Sequence, residues 1–185
     1  TAPGKVVKIR LSDFTRLGTI ILNTGEDGLR SAVIDPSGQY AYFGTWTIPG
    51  RVVKINLSSF TRVGALTLQS GESQLYSAVI DPNGQYAYFG TNTAPGRVVK
   101  INLSSFTRVG ALTLQSGENY LYSAVIDPSG QYAYFGTDTS PGMVVKINLS
   151  SFTRVGAITL ASGENYLCSA VIDPSGQYAY FGTWT

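Results

Sequence analysis

The sequence predicts an all-β chain, a β-propeller built from four-stranded blades, and three observations point there. A single motif recurs four times at a fixed step of 46 residues, each copy divides into four short β-prone segments, and turn residues rather than helical periodicity separate those segments. Pro3-Gly4, Pro49-Gly50, Pro95-Gly96 and Pro141-Gly142 mark the step, as do Phe14, Phe60, Phe106 and Phe152 and the aspartates Asp35, Asp81, Asp127 and Asp173. Units 1–46, 47–92, 93–138 and 139–184 therefore make one repeat domain over 1–185. The two central units differ at only five positions, 48/94, 73/119, 74/120, 83/129 and 92/138, so those positions are where the copies diverge in chemistry.

Within a unit each element follows from its residues. Segment 77–80 (Ser-Ala-Val-Ile) is a first strand, here called A. Asp81-Pro82-Asn83-Gly84 is a type I turn, with an Asx side chain first, Pro presetting φ second and Gly fourth. Segment 85–91 is strand B. A loop holding Pro95-Gly96 leads to strand C over 97–103, and Ser104-Ser105 turns the chain into strand D over 106–114. No stretch has a capped helical period, and glycine interrupts every longer run. Four antiparallel strands at a period in the forties match one propeller blade.

The run Ala-Val-Ile-Asp-Pro-Ser-Gly-Gln-Tyr-Ala-Tyr-Phe-Gly-Thr (32–45), followed by Gly-Arg-Val-Val-Lys-Ile-Asn-Leu (50–57), resembles the YVTN-type repeat of surface-layer and related propellers. The likeness covers all four units. It departs from the family where strand B reads Tyr-Ala-Tyr-Phe-Gly-Thr in place of the usual Tyr-Val-Ala-Asn-like ending. The resemblance implies the blade and an extracellular or cell-surface setting.

The chain opens with strands C and D (about 5–22) and closes with strands A and B (about 170–183). Pairing the terminal B strand with the initial C strand completes a blade and hides two open edges. Two closures do this. One chain can close on itself as a four-bladed ring, or two chains can join end to end as an eight-bladed homodimer, with a fragment of a longer array behind both.

Composition removes several function classes. Charged residues make up 13% of the chain and the formal net charge is +2, so no field steers it to nucleic acid or acidic membranes. There is no His, which removes the usual general base and commonest metal ligand, and one cysteine, Cys168, which has no disulfide or zinc partner. No apolar run reaches the roughly 20 residues that span a bilayer, and residues 1–5 lack a signal peptide's apolar core.

Antiparallel meanders put alternate loops at opposite ends. The A–B and C–D turns share one face, and the B–C and D–A loops share the other, where the copies differ. Its variable positions include Trp46, Asn92, Asp138 and Trp184 in the B–C loops, Gln74, Tyr120 and Tyr166 in the D–A loops, and Arg30, Tyr76, Tyr122 and Cys168 just after them. Exposed Trp and Tyr on a rigid scaffold suit sugar faces and protein hot spots. Drift at unpacked turn positions is the competing reading, although drift favours small polar residues over Trp.

Other repeated groups read as structure. Tyr40, Tyr42 and Phe43 are expected to pack between blades. Lys54 and Arg62 alternate with apolar residues and are expected to blunt the outer edge. Glu26, Glu72, Glu118 and Glu164 are expected to close their loops by hydrogen bonds, with a carboxylate ring for a hard cation as the alternative. Asn56, Asn102 and Asn148 match the N-glycosylation pattern while standing where a turn wants Asp or Asn. Cys168 lacks a basic neighbour and reads as incidental.

The expected function is therefore a non-enzymatic binding module, without cofactor, that engages a glycan or protein through the variable face. The alternative is a structural, self-assembling unit of a surface array. An enzyme is not expected, because identical copies of Glu and Asp supply no unlike groups at one point.

Overall fold

The computed structural model of the chain describes residues 2–185. Sixteen strands form among them. β1 (Lys5–Arg10) and β2 (Thr15–Ile21) make an N-terminal half-blade. Blade I comprises β3 (Leu29–Ile34), β4 (Tyr40–Thr45), β5 (Arg51–Asn56) and β6 (Thr61–Thr67). Blade II comprises β7 (Leu75–Ile80), β8 (Tyr86–Thr91), β9 (Arg97–Asn102) and β10 (Thr107–Thr113). Blade III comprises β11 (Leu121–Ile126), β12 (Tyr132–Thr137), β13 (Met143–Asn148) and β14 (Thr153–Thr159). β15 (Leu167–Ile172) and β16 (Ala179–Thr183) make a C-terminal half-blade. Every blade is an antiparallel meander in chain order. The first strands β3, β7, β11 and β15 pack on one another in succession, which makes them the inner wall of an arc.

Of the two closures open to the sequence, the single-chain ring is not adopted. β1–β2 and β15–β16 remain separate two-stranded sheets, with no ladder between β1 and β16 among the described residues. The side chains that fill each junction fix the step from blade to blade, and these steps leave the ends apart.

The turns form as their residues dictate. In the A–B turn the Gly84 amide donates to the Asp81 carbonyl at 2.9 Å, and the Asp81 carboxylate accepts the Gln85 amide at 2.7 Å. In the C–D turn the Asn102 side-chain oxygen accepts the Ser105 amide at 3.0 Å, which gives that asparagine a turn role in place. The residue after that serine, Phe106, takes a left-handed φ of 51°, as do Phe60 and Phe152.

Phe106 is the link from turn to packing, because its ring reaches the preceding blade. It lies 6.1 Å from Tyr42, centroid to centroid, and Lys54 sits over both rings, at 5.5 and 5.6 Å, while donating to the Leu103 carbonyl at 3.4 Å. Lys54 is buried. The expectation that it blunts an outer edge is thus corrected: a middle strand of a blade has neighbours on both faces, so alternation with apolar residues does not mean solvent. Burial lowers the Lys54 ammonium's affinity for its proton, and the charge of Asp35 partly offsets this. The expected inter-blade role of Tyr42 holds. It is buried in one cluster with Val52 and Leu68 of its own blade and the loop that follows, and with Leu75, Phe89 and Val99 of blade II.

Arg62 is corrected in the same way. Its guanidinium forms a paired salt bridge with Glu26, with the Nε donor 2.8 Å from Oε2, and Arg108–Glu72 and Arg154–Glu118 repeat the arrangement. Each bridge ties a blade's outermost strand to the loop that enters that blade. Glu26, Glu72 and Glu118 are buried, and each also accepts a loop amide, from Asn23, Gln69 and Gln115, at 2.9–3.0 Å. The loop-closing bond is therefore present. The cation-binding carboxylate ring is overturned, since these three carboxylates are each engaged by an arginine.

Inner strands are joined by buried serines. Ser31, Ser77 and Ser123 donate to the carbonyls of Leu75, Leu121 and Leu167 in the next blade at 2.6–2.8 Å. The approach depends on glycine: a Cβ at Gly90 would stand 2.3 Å from Ser77 Oγ and 2.8 Å from Leu121 Cβ.

Two outcomes test this scheme. Gly90→Ala should cost about 1–3 kcal/mol through overpacking, read from urea denaturation; an unchanged midpoint would contradict the close approach. For Glu26 and Glu72, burial opposes ionisation, but the arginine and amide hydrogen bonds and nearby guanidinium charges outweigh it and hold both carboxyls below their usual 4.5. Their contribution is then fully present above pH about 4.5 and is lost as pH falls through the lowered folded value. Glu72→Gln should cost about 1.5–3 kcal/mol at neutral pH and flatten the acid side of the stability curve. A variant with the parent's pH profile would rule the bridge out.

Candidate functional site

The B–C and D–A loops meet on one face, as the meander requires. The Trp46 amide donates to the Asp27 and Gly28 carbonyls at 3.2 and 2.8 Å, and the Gln74 amide donates to the Thr47 carbonyl at 3.0 Å. Each B–C loop thus bridges the D–A loops on either side of it. Within the loop, Thr45 and Thr47 share a 2.6 Å hydroxyl contact, and Thr45 Oγ1 accepts the Arg51 amide at 2.9 Å. These bonds make the platform rigid before any variable side chain is considered.

Residue 28 and its copies Gln74, Tyr120 and Tyr166 all adopt left-handed φ, between 52° and 57°. Gly28 carries this freely, and a Cβ there would meet Trp46 Cβ at 2.7 Å. Three non-glycine residues hold it, an uncommon arrangement that projects their side chains from the loop.

A β-bulge follows. In blade I, Leu29 pairs with Thr45 and Ser31 with Gly44, leaving Arg30 between them without a ladder partner. Tyr76, Tyr122 and Cys168 hold the same place in the later copies. Bulges re-aim side chains, and these form a row. The Arg30 guanidinium lies 5.3 Å from the Trp46 ring and 5.4 Å from Tyr76, and Tyr76 stacks on Tyr122 at 4.3 Å with planes 10° apart. Asp138 lies beside the Tyr122 hydroxyl. Burial raises the Tyr122 hydroxyl to about 12, with Tyr76 and Asp138 adding to the shift. Burial likewise lifts the Asp138 carboxyl above 3.8, opposed by the neighbouring Tyr122 hydroxyl.

The sequence-predicted residues divide accordingly. Trp46, at 46% exposure, Arg30 and Asp138 belong to the row. Asn92 and Gln74 bond each other, Nδ2 to Oε1 at 2.7 Å, beside it. Trp184, at 73% exposure, pairs with Tyr166 at 6.4 Å on the C-terminal half-blade, and Tyr120 is partly exposed in its own loop. Tyr76 and Tyr122, which hold Arg30's place in the later copies, join the row beside it. Cys168 is exposed, and burial with the Asp138 charge pushes its thiol up, away from the reactive thiolate. Among the described residues no three acidic or thiol groups gather as a metal would need.

Comparison with known proteins yields no matching family model and no match among curated sequences. Solved structures do match. The chain superposes on Kuenenia stuttgartiensis hydrazine synthase with a TM-score of 0.72 at 14% identity, over 82% of this chain and 41% of that one. It superposes on the RRP9 WD40 repeats with a TM-score of 0.67 at 12% identity, over 92% and 46%. For U3-55K the values are 0.66, 12%, 80% and 44%. The fold is a β-propeller arc. This propeller chain spans less than half the length of each of these structures, and identities this low speak to fold alone.

The row makes a specific prediction. Tyr122→Phe should raise the Asp138 titration midpoint further, followed by carboxyl carbon NMR against pH. A midpoint that stays or falls would show that the hydroxyl does not favour the ionised carboxylate.

Proposed function

We propose that the chain is a non-enzymatic binding module that engages a glycan or protein through the B–C/D–A face. The observation that supports it is the continuous row Trp46, Arg30, Tyr76, Tyr122 and Asp138, built from positions where the copies differ, on loops that backbone bonds hold rigid. Aromatic faces flanked by one guanidinium and one carboxylate match the mixed apolar and hydroxylated surface of a sugar ring, and equally an interface hot spot. The row offers no nucleophile paired with a base. The propeller neighbours include WD40 repeats and also an enzyme, so the non-enzymatic reading rests on the residues of this face.

A second reading, a self-assembling unit of an extracellular array, is favoured by one observation: the arc's two ends expose apolar strands that its interior buries.

A glycan microarray followed by tryptophan fluorescence titration tests the first reading. Saccharides that bind should quench Trp46 emission, and Trp46→Ala should weaken binding at least tenfold. Absence of binding across the array, together with no protein ligand recovered on the same face by cross-linking, would refute it.

A further inference from the structure

The two ends of the arc are complementary halves of the junction that the chain repeats internally. At the N-terminal end, Val7 is 50% exposed where its copy Val53 is fully buried. At the C-terminal end, Tyr180 is 60% exposed where Tyr42 is 1% exposed. Each end is missing partners that the other supplies.

The missing partners can be named from the repeat. Glu26, Glu72 and Glu118 each bind an arginine 36 residues on. Glu164 makes its loop bond, from the Ala161 amide at 2.9 Å, but is exposed, with no ion pair among the described residues. The arginine copy left over is Arg16, at the opposite end, exposed and bonded only to Thr19 among the described residues. Lys54 and Lys100 each cover a Phe of the next blade. Among the described residues Lys146 covers only Tyr132 and Tyr134, and no lysine covers Phe14, which is 84% exposed. Ser169 is exposed where Ser31, Ser77 and Ser123 donate to the next inner strand. Gly84, Gly130 and Gly176 nest against the prolines of the preceding turn: a methyl group added to them would stand 2.7–3.0 Å from Pro36, Pro82 and Pro128, whereas Gly38 faces open space.

We propose that two copies of this chain close an eight-bladed ring through two identical seams, independently of what the variable face binds. In each seam β16 of one copy pairs antiparallel with β1 of the other, in the register that β4 and β5 show, so that Ala179 faces Ile9 and Phe181 faces Val7. Glu164 takes Arg16 of the second copy. Lys146 takes Phe14, Ser169 takes the Leu29 carbonyl, and Pro174 takes Gly38. Charge complementarity and the shared register argue for a copy of this chain over an unrelated partner. The choice of two copies over one follows from an arc whose ends lie in separate sheets. Two seams also complete the variable face, setting Cys168 of one copy next to Arg30 of the other in the row of bulge residues.

Light scattering coupled to size exclusion tests this on the 185-residue chain. The expected mass is twice the 19.8 kDa of one chain. Arg16→Glu and Glu164→Arg, both at exposed positions, should each shift the chain to the one-chain mass while circular dichroism stays that of the parent. An equal mixture of the two variants should return to the two-chain mass, since one seam is then reversed and the other is native. On a Cys168→Ser background, Val7→Cys with Phe181→Cys should oxidise to a cross-linked two-chain band. A parent chain at the one-chain mass, cross-linking within one chain, a two-chain mass indifferent to both variants, or species larger than two chains would each overturn the proposal.

Discussion

The buried glutamate–arginine bridge is the interaction around which each junction is organised. A carboxylate removed from water costs several kcal/mol unless hydrogen bonds and a counter-charge replace its hydration. Glu72 obtains both, from the Gln69 amide and from the Arg108 guanidinium. Because the amide belongs to the loop and the arginine to the outer strand of the following blade, satisfying the charge fixes the angle at which the chain enters that blade. Ser31, donating to Leu75 on the inner strand, fixes the other edge. Between these two polar ties lies the apolar filling of Tyr42, Leu75 and Phe89, and their burial is worth about 1.5–3 kcal/mol for each large side chain.

How far the sequence discloses this depends on range. Strand number, strand order and the Asp-Pro-Asn-Gly turn are local properties, and they appear in the structure within one or two residues of where the sequence puts them. The loop bond of Glu26 is local too. Its arginine lies 36 residues away on the far edge of a blade, and no spacing rule within a strand connects them. Lys54 defeats sequence reading for a related reason: alternation reports a solvent face only when one side of a sheet is open, and β5 is covered on both. Tyr76 and Tyr122 join the candidate site through a bulge, whose extra residue changes the side to which they point.

The division of labour between the two faces follows from the same geometry. A–B turns nest glycine against proline from blade to blade, so their residues repeat closely. B–C and D–A loops tie themselves down with backbone and threonine hydroxyl bonds, which leaves the side chains at positions 30, 46 and 74 and their copies free to differ. Variation without loss of fold is what a recognition surface needs, and the aromatic row occupies that surface.

If one junction geometry operates throughout, inside the chain and between chains, the ring it builds can be seen directly. Electron microscopy of the purified protein counts the blades in face-on projections. Closed rings with eight similar blades around a central channel are the predicted result. Four-bladed rings, or open arcs of three blades with frayed ends, would contradict a single repeated junction.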